Sequence, residues 1–314
     1  MREHADGEAV TLDQYRRRYA QYRLDPDLQA AHAAHPFAVS FDDHEVENNW
    51  AGPVSWRPQN TTPELFALRR AAAFQAWYEH MPVRAAALPR GPDITAWRSL
   101  RFGRLASLHL LDTRSFRDDQ PCADRFGPPC AEVARPDAQM LGPVQEAWLG
   151  EALAQGEGWQ VLAQQVPVMP HVAANGGITM DKWDAYPAAR ARLLRTIAER
   201  GVRDAVVLSG DVHQARAGTL HAETGAAVAT EFVATSATSL GDGDDVPRRA
   251  AEYLGSNPHL AFLHGRRGYT LHEVAPRQWQ ATYVSLPYVS RLGAPREIAA
   301  RFLVETGRPQ VTRG

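Results

Sequence analysis

Between Asp42 and Asn49 the chain reads DDHEVENN, seven side chains able to hold a metal ion or a proton, interrupted only by Val46. A shorter set, Gly210-Asp-Val-His213, follows the apolar run AVVLS. Carboxylate oxygen together with imidazole nitrogen suits hard or borderline cations such as iron, manganese, zinc or calcium. Adjacent carboxylates repel, so a pair such as Asp42-Asp43 calls for a cation or a shared proton. Neighbouring cations lower the pKa of a bound water, polarise an ester and hold nucleophile and leaving group in line. A histidine beside them can protonate the departing alkoxide. These residue types point to metal-dependent ester hydrolysis. The plainer alternative, an Asp-x-His turn whose side chain caps its own backbone, is the usual reading of either motif taken alone.

Other positions carry weaker signals. Asp112 and Arg114 in HLLDTRSFR lie at an expected strand end, where the arginine either forks to a phosphate oxygen or closes a loop salt bridge. His171 follows WQVLAQQVPVMP, and either ligates or is exposed. Asp181, Asp184 and Tyr186 precede a helix, and Asp184 either joins the site or serves that helix's N-terminus. Cys122 and Cys130, the only cysteines, stand eight apart in QPCADRFGPPC; they either close a small disulfide in an oxidising compartment or remain two thiols. A zinc site would need two further ligands nearby, and no convincing pair is present.

The elements that must position these groups follow from periodicity. Residues 11–23 place Leu12, Tyr15, Tyr19 and Tyr22 at helical spacing, and Asp25-Pro26 opens a second helix that Pro36 ends. Residues 37–41 are expected to form a buried strand running straight into the DDHE block. A helix is expected over 64–80, then a strand at 99–102, a turn at Gly103-Arg104, and a second strand ending at Asp112. PVQEAWLGEAL after Gly142 reads as a helix, WQVLAQQV as a strand, PAARARLLRTIAER as a helix closed by Gly201, and AVVLS as a buried strand. EFVATSAT, RGYTLHEV, WQATYVSL and RFLVET make the last third read as sheet. In α/β folds the loops at the carboxyl ends of strands converge on one crevice, which would bring DDHE and GDVH together.

At 314 residues and 44% apolar content the chain can bury a large core, and one α/β domain over 1–314 is the simplest organisation. A formal charge of −2, with no arginine run longer than three, disfavours nucleic-acid binding. No signal peptide and no stretch of 18 apolar residues is visible. The absence of GxSxG, of a Walker loop and of GxGxxG removes support for serine hydrolases, P-loop NTPases and dinucleotide enzymes.

Several segments in order, FDDHEVENNW, LHLLDTRSFRDDQPC, LGPVQEAWL, DKWDAYPAARARLL, VVLSGDVHQARAG, RRGYTLHEV and VETGRP, resemble the PhoD-type alkaline phosphatases, a branch of the calcineurin-like metallophosphoesterases. The resemblance implies a four-layer sandwich of two mixed β-sheets flanked by helices. It further implies an iron- and calcium-binding site that hydrolyses phosphate mono- and diesters, and export from the cytoplasm. By residue-wise carry-over, Asp43 takes a ligand position and His44 that of the acid histidine. Asp211 and His213 take the late-ligand places, Asp42 and Glu45 support them, and Asn48 or Asn49 contacts metal or phosphate. The family pattern also has a first-strand aspartate or cysteine site and a Gly-Asp-x-x-Tyr segment, neither present here. The chain is therefore expected to lack the N-terminal strands of the catalytic domain and to have weak or absent metal-dependent activity unless another polypeptide supplies the missing segment. A catalytically silent binding module and a calcium-binding structural domain are the competing readings; oligomeric state is unread.

Overall fold

The computed structural model describes residues 3–245 and 250–314. Where one domain is the simplest reading of the sequence, the chain divides into two compact units, a helical unit of residues up to 97 with 112–119, and a sheet unit of 98–111 with 120–314.

In the helical unit three helices form where the spacing predicts them: α1 (Leu12–Arg23), α2 (Pro26–Ala34) and α3 (Pro63–His80). Their starts are fixed locally. Thr11 and Gln14 exchange side-chain and backbone hydrogen bonds in a capping box, Asp25 accepts from the amides of Asp27 and Leu28, and Thr62 accepts from that of Leu65. Pro26 and Pro63 occupy first helical positions, where no amide donor is needed. The core is aromatic: Phe41, Trp50, Phe66, Phe74 and Trp77 are buried, with ring centroids 5.1 to 6.4 Å apart. Burying each such side chain contributes about 1.5–3 kcal/mol.

The strand expected at 37–41 does not form. Phe37 is exposed and stacks on the His32 ring at 3.9 Å, while Phe41 is buried in the core and Val39 packs partly against it. Short apolar runs do not distinguish a strand from an extended segment. Here the two aromatic side chains find partners on helices and on neighbouring rings.

The sheet unit carries the α/β architecture. Its elements are β1 (Arg98–Phe102), β2 (Ala106–Leu110), α4 (Pro143–Ala154), β3 (Trp159–Ala163), α5 (Pro187–Glu199), β4 (Ala205–Ser209), β5 (Ala215–His221), β6 (Ala227–Val233), α6 (Ala250–Ser256), β7 (Leu260–His264), β8 (Arg267–Ala275), β9 (Gln278–Leu286), β10 (Glu297–Glu305) and β11 (Arg308–Arg313). The larger sheet has the order β1-β2-β3-β4-β6-β5-β7, with a parallel centre from β2 to β6 and antiparallel pairs at both flanks. The expected strand EFVATSAT ends at Val233.

Side chains alternate across this sheet as a period of two requires. Trp159, Val161, Val206 and Phe232 pack with Trp279, Ala281, Tyr283 and Phe302 of the smaller sheet. Leu162, Val207 and Val233 face the opposite way and share a core with Leu149 and Leu153 of α4 and Leu193, Leu194 and Ile197 of α5. Central strands covered on both faces read as unbroken apolar runs, hence AVVLS.

The second sheet, β11-β10-β9-β8, is antiparallel throughout rather than mixed. Its strands follow one another through connections with no crossover helix, and such neighbours pair antiparallel. Tyr269, Leu271 and Ile298 of this sheet are exposed. Cys122 and Cys130 are disulfide-bonded with Cα atoms 5.9 Å apart, which decides between the two readings of that loop. No helix among the described residues is long and apolar enough to cross a membrane.

Candidate active site

The acidic loop belongs to the helical unit, where side chains of two helices pin it. The Tyr15 hydroxyl of α1 donates to the Val46 carbonyl at 2.5 Å. Arg69 of α3 donates to the Tyr15 oxygen at 3.0 Å and pairs with buried Glu47 at 2.5 Å. The other Glu47 oxygen accepts the Trp56 amide at 2.8 Å. Within the loop, Glu45 accepts the Asp42 amide at 2.7 Å, and burial raises its pKa. Asp43 is buried and accepts the Asn49 amide at 3.0 Å, with Asn49 in the left-handed region at φ 49°. Asparagine tolerates that conformation better than most residues.

His44 lies between buried Asp43 and half-buried Glu45 in sequence yet is exposed. Its side chain keeps 74% of its accessibility, with Nε2 3.8 Å from an Asp43 oxygen. That combination suits a group exchanging protons with a bound molecule. Arg114 is fully buried, 2.6 Å from Asp42 and 4.0 Å from Asp43, so it makes the loop salt bridge that was one of its two readings. Asp112 turns the chain beneath it by accepting the amides of Arg114 and Ser115, and burial pushes its pKa up. Gly52, at φ 51°, donates to the Arg114 carbonyl; a Cβ there would meet the Arg117 carbonyl at 2.8 Å, closer than side-chain atoms approach.

In the sheet unit, β4 discharges into GDVH as expected. Asp211 and His213 both adopt positive φ, 67° and 53°, a conformation that costs a non-glycine residue about 1–2 kcal/mol and needs support from its surroundings. The support is visible. The Gly210 amide donates to the Gln165 carbonyl, and the His213 carbonyl accepts from Thr235 at 3.1 Å and from buried Arg267 at 2.7 Å. Behind the end of β4, Ser209 donates to Glu231, which also accepts the amides of Val168 and Met169 at 2.8 and 2.6 Å. Glu231 is completely buried, and burial raises its pKa to about 7.

The structure brings Asp42, Asp43 and Glu45 together on one pinned loop of the helical unit, with Arg114 of the 112–119 segment paired to it and Asn48 partly buried beside them. In the sheet unit, Asp184 pairs with Arg190 at 2.9 Å and accepts the His171 amide at 3.2 Å, and it makes no capping bond to α5. His171 is partly buried, its ring stacked on Tyr253 at 4.4 Å. Sequence reasoning passes over Arg69 and does not foresee the pairing of Tyr15 with Val46 or of Arg69 with Glu47, whose partners lie 31 and 22 residues apart. It also passes over Glu231 and Arg216, for which a signal existed: an ionisable residue inside an otherwise apolar strand. Asp43 on the acidic loop offers carboxylate oxygen, and Asp211 and His213 on the loop after β4 offer carboxylate oxygen and imidazole nitrogen, donor types that hard or borderline cations take.

The family model for PhoD-like phosphatases matches residues 1–283, and the chain belongs to that family. It is 43% identical over 313 residues to a curated relative, alkaline phosphatase D of Bacillus subtilis (strain 168). A solved structure titled "Structure of PhoD" superposes with a TM-score of 0.94 at 42% identity, covering 99% of this chain. The chain spans 53% of the length of the curated relative and 61% of the solved chain.

Proposed function

We propose that this chain is a metal-dependent phosphoesterase acting on phosphate mono- or diesters, with iron and calcium as its cations. Asp43, Asp211 and His213 serve as ligands, Asp42 and Glu45 hold the acidic loop in shape, and His44 delivers the proton to the leaving alkoxide. Arg114 neutralises part of the loop's charge and fixes Asp42. Bound cations would supply an activated water and polarise the ester. The observation that carries the reading is an exposed imidazole beside a buried carboxylate on a rigidly pinned loop, in a member of the PhoD-like phosphatase family. The disulfide supports a further part of it, that the chain works in an oxidising compartment outside the cytoplasmic membrane.

Two variants test the roles. His213→Ala is expected to lose metal content and turnover together, because a ligand is gone. His44→Ala is expected to keep its metal and to lose about a hundredfold on an alkyl phosphodiester. Its loss on a nitrophenyl ester, whose leaving group needs little protonation, is smaller. Unchanged rates on the alkyl diester in both variants would refute the assignment.

A further inference from the structure

One face of the larger sheet carries polar side chains where β1, β2 and β3 run side by side. A buried polar group costs free energy unless it is hydrogen-bonded, and here a chain of bonds meets that need. Ser99 stands directly opposite His109 in the β1–β2 pair, with its hydroxyl 2.8 Å from the His109 Nδ1. The His109 Nε2 is 3.0 Å from Gln160 Oε1 of β3. The proton positions follow from the far end. Gln160 Nε2 donates to the carbonyls of Glu157 and Gly158 at 2.9 and 3.3 Å, so its Oε1 accepts from His109 Nε2. Nδ1 is then the bare nitrogen, and Ser99 donates to it. Gly156 lets the amide lie there, since a Cβ at that position would meet Gln160 Oε1 at 2.0 Å.

His109 is 1% exposed, and burial holds its pKa below the usual imidazole value, which keeps the ring neutral. Ser99 is exposed and lines a cavity of about 220 Å³ together with Arg101, Ser107 and His109 and with Trp148 and Glu151 of α4. All these residues belong to the sheet unit. Ser107 is buried, and among the described residues neither its hydroxyl nor the Arg101 guanidinium has a hydrogen-bond partner. A hydroxyl bonded to a neutral imidazole that a third group orients is the arrangement of an activated nucleophile. Such sets are defined by geometry and roles, so β1, at the edge of its sheet, can present the serine without a GxSxG turn. Arg101 and Ser107 offer unused donors to an oxyanion. Arg101 and Glu151 bring one charge of each sign and Trp148 an apolar wall, which suits a small uncharged ester.

We propose that Ser99 is a nucleophile and His109 its general base, in a site that hydrolyses short-chain carboxylic esters. Ser99 Oγ bonds to the ester carbonyl carbon while its proton passes to His109 Nδ1. The tetrahedral intermediate expels the alcohol, whose oxygen takes that proton, and an acyl group stays on Ser99. Water then attacks the acyl carbon, its proton passing by way of Nδ1 to Ser99 Oγ as the carboxylic acid leaves. Gln160 orients the ring but, being uncharged, stabilises the imidazolium less than a carboxylate does, so the acyl group is released slowly.

The test is the reaction of the full chain with nitrophenyl acetate in the presence of a chelator, which silences metal-dependent hydrolysis. Nitrophenol release and the masses of acetylated peptides are the two readouts. The unmodified chain is expected to release a burst of about one nitrophenol per chain and to carry the acetyl group on Ser99. Ser99→Ala is expected to lose the burst, and His109→Asn to slow it about a hundredfold or more, with circular dichroism showing which variants fold. Absence of a burst from the unmodified chain, acetylation only at other residues, or a burst in Ser99→Ala within twofold of the unmodified chain overturns the proposal. Ser99 is exposed, so its alanine variant decides the matter if His109→Asn does not fold. A folded His109→Asn that bursts at the unmodified rate refutes the role of His109.

Discussion

Replacing Glu231 by glutamine should change the pH dependence of stability in a calculable way. The carboxyl is wholly buried beneath the end of β4, and burial moves its pKa from 4.5 to about 7 despite three donors that favour the ionised form. A carboxyl with a raised folded pKa holds its proton more tightly in the native state. Its contribution is therefore complete below pH 4.5, falls as pH rises through the interval, and is lost above about 7. At 1.36 kcal/mol per pH unit the loss is about 3 kcal/mol. Glutamine fills the same volume and does not titrate, so the variant lacks this term. Urea denaturation of both proteins at several pH values between 4 and 8 isolates it, because other titrating groups, His171 among them, cancel in the difference. The variant should gain about 3 kcal/mol relative to the unmodified protein from the acid to the alkaline end. A difference that stays flat across the range would show that Glu231 titrates normally and that the reasoning from its burial is wrong.

Further expectations concern the scaffold. Arg69→Met leaves Glu47 buried without its cation, and removing one partner of a buried pair costs about 3–5 kcal/mol. Urea denaturation measures that loss, and a change under 1 kcal/mol would mean the loop is held by other contacts. Replacing both Cys122 and Cys130 by serine opens a closed loop of nine residues and should cost about 2–3 kcal/mol by chain entropy, measured the same way under non-reducing conditions.

What the sequence disclosed depended on how local the cause was. Helix starts were legible because Thr11, Asp25 and Thr62 each cap a backbone within three residues. AVVLS was legible because a doubly covered strand has no polar face. The segment 37–41 misled for the same reason: it has a strand's composition, but Phe41 belongs to an aromatic cluster with Trp50, Phe74 and Trp77, assembled from positions the local pattern does not connect. In the candidate site, residue types were readable from DDHE and GDVH. The restraints were not, since the links from Tyr15 to Val46, Arg69 to Glu47 and Arg267 to His213 span 31, 22 and 54 residues.

The last of these links has a wider reach than a single hydrogen bond. Arg267 opens β8, and its guanidinium also gathers the carbonyls of Gly241 and Gly265 at 2.9 Å each. The next residue, Gly268, lies so close to β9 that a Cβ would meet the Val284 carbonyl at 2.0 Å. A methyl group added there must push the two strands apart and carry the guanidinium with them. The smaller sheet thus acts as the rear anchorage of His213, and a lesion far from any ligand would be felt as a misaimed imidazole.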